Sequence, residues 1–269
     1  MAQATHPIKH ITVTQHTITS KHLKREVRID LYVPSQTENQ SLSLLLINDG
    51  QDLPKMPFDA MLNTLISTKE IAPVFCVGIY CGDDRMNEYG VASQTDYKGR
   101  GAKATAYTAF VIKELIPFIK ATNPSYSFYE MAYAGFSMGG LSAVDIVWHH
   151  PKLFSKVGIF SGSLWWRSKD YNDGYDENKH RIMHQQIREG QYQKGLKFFI
   201  QCGALDETAD RNNNGIIDSI DDAMDLIREL KLKGYTDEEI TYLELQDGKH
   251  DVPSWAKAFP SFLKWGWGK

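Results

Sequence analysis

The chain has 269 residues, of which 42% are hydrophobic and 23% charged, enough to bury one large core in a single α/β domain over residues 1–269. A formal charge of −3 gives no reason to expect nucleic acid or an anionic membrane as a partner, and no run of eighteen apolar residues is available to span a bilayer. Met1 to Pro7 lacks the charged and apolar regions of a signal peptide, so a cytoplasmic protein is expected; Cys76, Cys81 and Cys202 are too few for a disulfide framework or a zinc site.

Residues 10–18 and 24–33 alternate apolar and polar side chains, with Val27, Ile29, Leu31 and Val33 on one face, which is the period of half-buried antiparallel strands at a sheet edge. After a polar turn over 34–40, residues 42–47 are nearly all apolar, as a strand covered on both faces requires, and end at Asn48-Asp49-Gly50-Gln51-Asp52. A short helix over 57–68, a buried strand over 74–80 and a polar loop over 82–101 come next. A longer helix over 104–122 carries Phe110, Leu115, Phe118 and Ile119 at helical spacing. The apolar run from Met131 breaks at Gly135-Phe136-Ser137-Met138-Gly139 and continues as a helix-forming segment. Beyond it lie a strand over 157–160 ending at Ser161-Gly162-Ser163, and a lid-like insertion over 164–178 rich in tryptophan, tyrosine and aspartate. A strand over 198–202, a helix over 218–233, a strand over 240–245 and a closing helix over 252–265 complete the chain. This alternation predicts an α/β fold: a mostly parallel sheet with an antiparallel N-terminal edge and helices on both faces.

Gly-x-Ser-x-Gly between a strand and a helix is the pattern of a nucleophile elbow, in which small residues at 135 and 139 let the backbone turn sharply and present Ser137. In such sheets ligands sit beyond the carboxyl ends of the strands, so the residues just after each strand are the ones to inspect. One end offers Asp206 and another His250, and the order Ser137, Asp206, His250 is that of an α/β-hydrolase triad. His250 would take the serine proton and Asp206 would orient the imidazole, with Glu207 and Asp210 as rival acids. Two N–H groups are expected to hold the oxyanion: that of Met138, after the nucleophile, and that of Gln51, which Gly50 would turn toward the site, although the pattern at 48–52 fits an ordinary Asp-Gly turn equally well.

These residues resemble the putative esterase family of α/β-hydrolases, the group of esterase D, enterochelin esterase and feruloyl esterase modules. The matching segments are Asn48-Asp49-Gly50-Gln51-Asp52, Arg85-Met86-Asn87-Glu88-Tyr89, Glu114-Leu115-Ile116-Pro117-Phe118-Ile119, Ala134-Gly135-Phe136-Ser137-Met138-Gly139-Gly140, and Gly248-Lys249-His250-Asp251 followed by Trp255. The resemblance implies the α/β-hydrolase fold and a serine carboxylesterase with the same triad and oxyanion donors. It leaves the ester open, since members act on siderophore lactones, acyl esters of polysaccharides, thioesters and lipids; the segment 48–52 looks like the enterochelin-esterase side of the group.

Asp210, Asn212, Asn214, Ile216, Asp218 and Asp221 occupy the ligand positions of a calcium loop, with Gly215 at the sharp turn, so a structural calcium is expected although catalysis needs no cofactor. The plain alternative is an Asn/Gly-rich turn capping the helix near Asp218. Trp165, Trp166 and Arg85 are the candidates for contact with a small-molecule or sugar-linked ester, the alternative being that they simply pack a lid. An acyltransferase would use the same triad, whereas a non-catalytic binding protein on this fold would be expected to lack Ser137 or His250.

Overall fold

In the computed structural model, which describes residues 10–35, 37 and 39–269, the two alternating segments form β1 (Ile11–Ser20) and β2 (Arg25–Pro34), paired antiparallel from Ile11 opposite Pro34 to Ser20 opposite Arg25. The signal-peptide reading of Met1 to Pro7, and positions 36 and 38 of the expected turn, lie outside the described residues. β3 (Ser41–Asn48), β4 (Val74–Ile79), β5 (Ser127–Phe136), β6 (Lys156–Phe160), β7 (Lys197–Leu205) and β8 (Ile240–Lys249) complete one eight-stranded sheet in the order β1-β2-β4-β3-β5-β6-β7-β8. All pairings from β4 to β8 are parallel, and β2 against β4 is antiparallel, so the expected antiparallel edge is present. The chain departs from β3 toward β4 and then returns to β3's other side as β5. Strand order therefore reverses between β3 and β5, and open sheets of this kind bind ligands beyond the carboxyl ends of the strands at such a reversal.

The apolar run of β3 is explained by its two covered faces. Leu44 and Leu46 join Tyr133, Val144 and Ile159 on one side; Leu45 and Ile47 join Phe58, Ala134 and Phe262 on the other. Each such side chain contributes roughly 1.5–3 kcal/mol of burial. The second face is covered by α1 (Phe58–Ser67) and α9 (Val252–Trp267). The first is covered by α3 (Ala104–Phe110), α4 (Ile116–Thr122), α5 (Met138–His149), α7 (Ile182–Glu189) and α8 (Asp218–Leu232). Two single-turn helices, α2 (Arg85–Glu88) and α6 (Glu177–His180), lie in the connections.

Three differences from expectation have local causes. The helix expected over 104–122 is interrupted by a π turn, Val111–Leu115, because Pro117 has no N–H for the carbonyl of Lys113. β7 and β8 run past their apolar stretches because Gly203 and Gly248 let their backbones meet: a Cβ on Gly203 would fall 2.5 Å from the Gly248 carbonyl carbon. α7 was absent from the expectations. Among the described residues no helix is long and apolar enough to cross a membrane.

Candidate active site

Ser137 joins β5 to α5 with φ 55° and ψ −123°, a conformation that costs on the order of 1–3 kcal/mol in a residue with a side chain. The surroundings hold it there. Its N–H donates to the Phe160 carbonyl at 2.9 Å, and its carbonyl accepts from Gly140, Leu141 and Ser163. Gly135 is required because a Cβ there would lie 2.3 Å from the Gly139 oxygen. The Ser137 Oγ is 3.4 Å from the Ser163 Oγ. Met138 begins α5, so its N–H has no carbonyl one turn behind it and is free to face the space above the serine.

The loop after β3 is built against this elbow. Asn48 donates from its amide to the Gly139 carbonyl at 2.8 Å, while its oxygen accepts from the buried hydroxyls of Tyr107 and Tyr133. Asp49, at φ 59°, makes the turn, and Gly50 opens a 3₁₀ turn, Gly50–Lys55, whose first N–H groups include that of Gln51. The expected reason for Gly50 is corrected here. The left-handed turn belongs to Asp49; a glycine is needed at 50 because a Cβ would sit 2.4 Å from the Gly78 carbonyl carbon.

Arg85, expected to contact substrate, is occupied as a brace. Its guanidinium forms a two-pronged pair with the buried Asp49 carboxylate, 2.7 Å on each side, and also donates to the Phe136 carbonyl at 3.3 Å. It thereby ties the β3 loop to the end of β5. Removing one member of such a pair typically costs 3–5 kcal/mol, because the other is left charged without its partner.

Asp206 and His250 follow β7 and β8, and both line one cavity of about 240 Å³ with Ser161, Trp165, Glu207 and Ser219. One Asp206 oxygen accepts the Gly203 N–H at 3.1 Å, while the other is buried and completes no hydrogen bond among the described residues, although the Ser161 hydroxyl lies close to the carboxylate. Burial pushes the Asp206 carboxyl above the usual aspartate range, opposed by the Gly203 N–H, the Ser161 hydroxyl and His250. His250 lies at the exposed rim, but the protein around its ring holds its pKa below the ordinary histidine value. Asp206 opposes that shift and Arg85 adds to it. Among the rival acids, Glu207 shares the cavity but its electrostatic neighbours are Asp218 and Asp222, and Asp210 is engaged by the N–H groups of Asn214 and Gly215. Trp255, at the start of α9, meets the His250 ring edge-on at 5.5 Å, stacks on Phe136, and donates to the Ser161 hydroxyl at 3.0 Å. Ser161, Ser163 and Trp255 were not among the expected site residues; their signal is that two of them directly follow a strand on the side where Ser137 lies.

The lid tryptophans separate. Trp165 is half-buried and lines the cavity of His250. Trp166 is 0% exposed, with its indole against Gly90 and Gly101 and its N–H toward the Gln94 carbonyl, so its expected contact with substrate is replaced by packing of the lid.

The loop over 210–221 folds on itself. The amides of Asn212 and Asn214 donate to Asp221, Asn214 and Gly215 N–H groups close on Asp210, and Ile216 donates to Asn214. Asp218, the expected ninth-position ligand, is buried and accepts from the Arg211 N–H at 2.8 Å. Among the described residues no three His, Cys, Asp or Glu side chains converge to hold a metal; Asp210, Asn212, Asn214 and Asp221 are nevertheless drawn together by the hydrogen bonds above, while Asp218 is turned toward Arg211.

A family model described as "Putative esterase" matches residues 20–265. The iron(III) salmochelin esterase of Escherichia coli O6:H1 is 30% identical over 146 residues, covering 53% of this chain and 33% of that protein. The solved enterochelin esterase of Shigella flexneri superposes with a TM-score of 0.72 at 20% identity, over 96% of this chain and 58% of that one. A ferulic acid esterase structure matches with a TM-score of 0.70 at 17% identity, over 95% and 97% of the two chains. The chain thus spans a third of the salmochelin relative and little more than half of the enterochelin esterase.

Proposed function

The chain belongs to the putative esterase family of α/β-hydrolase-fold enzymes, and from that premise we propose that it hydrolyses carboxylic esters through an acyl-enzyme on Ser137. The observation that carries this reading is the elbow itself: a serine held at positive φ where strand order reverses, with a carboxylate and an imidazole sharing a cavity after the two last strands. His250, kept neutral near pH 7 by its lowered pKa, accepts the Ser137 proton as the oxygen attacks the ester carbonyl. Asp206 offers its unpartnered oxygen to the ring and stabilises the imidazolium that forms. The N–H groups of Met138 and Gln51 receive the negative charge on the tetrahedral oxygen, a contribution of roughly 3–4 kcal/mol per donor in comparable sites. His250 then returns the proton to the leaving alcohol, and water repeats the sequence on the acyl-enzyme.

For the substrate we propose a small ester with an aromatic group, which Trp165 flanks. The relatives named for salmochelin, enterochelin and ferulic acid support that class. The test is hydrolysis of p-nitrophenyl esters from acetyl to octanoyl and of a feruloyl ester. The wild type should turn over at least one of them, and Ser137→Ala should lose about a thousandfold or more in kcat with an unchanged melting temperature. Equal activity in both proteins, or none in either, would remove the serine-esterase reading.

A further inference from the structure

The cavity of His250 continues past Trp165 and Glu207 into a second one of about 320 Å³, lined also by Tyr97, Lys98, Arg100 and Arg167. Arg167 is 7% exposed, and every other arginine in the chain has a carboxylate within 4.0 Å while Arg167 has none among the described residues. Its guanidinium lies 3.8 Å above the Tyr171 ring and 4.4 Å above that of Tyr97, and one nitrogen donates to the Tyr97 hydroxyl at 3.1 Å. Its Nε is buried with no hydrogen-bond partner among the described residues. These two aromatic faces, with the Tyr175 ring farther off at 5.9 Å, soften the cost of burying this cation but do not neutralise it.

The neighbouring charges do not supply the missing anion. Arg100 is consumed by Asp96, and Asp218 by Arg211. Glu207 faces Ser219, and burial raises its carboxyl above the ordinary range. Lys98, over the Tyr97 ring and without a carboxylate partner among the described residues, adds a second uncompensated positive charge at the mouth.

We propose that this second cavity is a subsite for a carboxylate carried by the substrate, with Arg167 as the group that pairs with it. Because Trp165 and Glu207 line both cavities, the carboxylate would be joined to the reacting ester through the space beside the Trp165 indole. The substrate class is then an ester bearing a free carboxylate, on either its acyl or its alcohol part. The catalytic readout rests on the esterase reading above, but binding of the anion does not.

The experiment measures kcat and KM for two matched pairs: mono-p-nitrophenyl glutarate beside p-nitrophenyl butyrate, and 3-carboxyphenyl acetate beside phenyl acetate. The first pair puts the charge on the acyl side, the second on the alcohol side. In the wild type one charged ester should be preferred through a lower KM. Arg167→Gln should lose about tenfold more on that ester than on its neutral partner, and Arg167→Lys should recover part of the loss. Equal losses on charged and neutral esters would assign Arg167 to holding the lid, and no wild-type preference in either pair would remove the subsite. If no ester is turned over, calorimetry with glutarate and 3-hydroxybenzoate decides: weaker binding to Arg167→Gln than to wild type supports the subsite, and equal or absent binding overturns it.

Discussion

At the scale of single residues, the proposed mechanism turns on a His250 that is neutral when the reaction begins. The protein packed around the ring lowers its pKa, Arg85 lowers it further, and Asp206 pulls in the other direction. Since the base works only when unprotonated, kcat/KM should rise with pH on a limb whose midpoint lies below about 6.5 and then level off. Arg85→Met removes one of the lowering charges, so its midpoint should move upward. A wild-type limb centred above the ordinary histidine value, or no limb at all between pH 5 and 8, would count against His250 as base. Ser137 and His250 stood out as candidates in the chain because each sits in a short signature placed just after an apolar run. Asp206 was preferred to Glu207 for its place just after an apolar run, but the chain alone kept Glu207 as a rival, since adjacent carboxylates in a loop differ only in which way the backbone turns them. The role of Arg85 was also hidden, because its partner Asp49 lies 36 positions away in sequence.

Between elements, the site depends on how closely the loop after β3 approaches the start of α5. Gly139 is where they touch: a Cβ there would fall 2.6 Å from the Asp49 carboxylate and 3.0 Å from the Asn48 Cβ. Gly139→Ala therefore pushes the loop after β3, with the proposed Gln51 donor and the Arg85 brace, away from the serine. We expect a loss of about 1–3 kcal/mol in stability, as for an overpacked core site, and a fall in kcat on p-nitrophenyl acetate of about tenfold or more from a misplaced donor. Wild-type kcat and melting temperature in this variant would show that the contact is slack. The strands and the parallel order were legible because buried strands leave continuous apolar runs and edge strands leave alternation. The π turn was not, since the 3.6-residue spacing survives on either side of Pro117 and conceals the one-residue widening. α7 escaped because its buried Ile182, Met183, His184 and Ile187 include a polar side chain in the apolar face.

For the whole molecule, the lid, the 210–221 loop and α8 are joined by one buried ionic cluster. Arg181, just before α7, pairs with Asp222 at 2.7 Å and Asp225 at 2.5 Å; Arg211 pairs with Asp222 at 2.7 Å and reaches Glu177 at 3.2 Å. Burial raises the Asp222 carboxyl and the two arginines pull it back down, so the cluster is held by charge that the chain itself supplies. The calcium loop read from the sequence becomes, in this setting, a proposal about competition: an ion at Asp210, Asn212, Asn214 and Asp221 must also draw Asp218 away from Arg211. Such an exchange weakens binding, so millimolar calcium is the range to test. At ten times the dissociation constant the ion would add about 1.4 kcal/mol, or roughly 2–4 °C in melting temperature for a chain of this size. The expected result is a melting temperature higher in calcium than in chelator, a difference lost in Asp210→Ala, with the rate of ester hydrolysis nearly unaffected. Coincident melting curves in calcium and chelator would instead assign the loop's oxygen-bearing residues to capping α8 and leave Arg211 as its only cation.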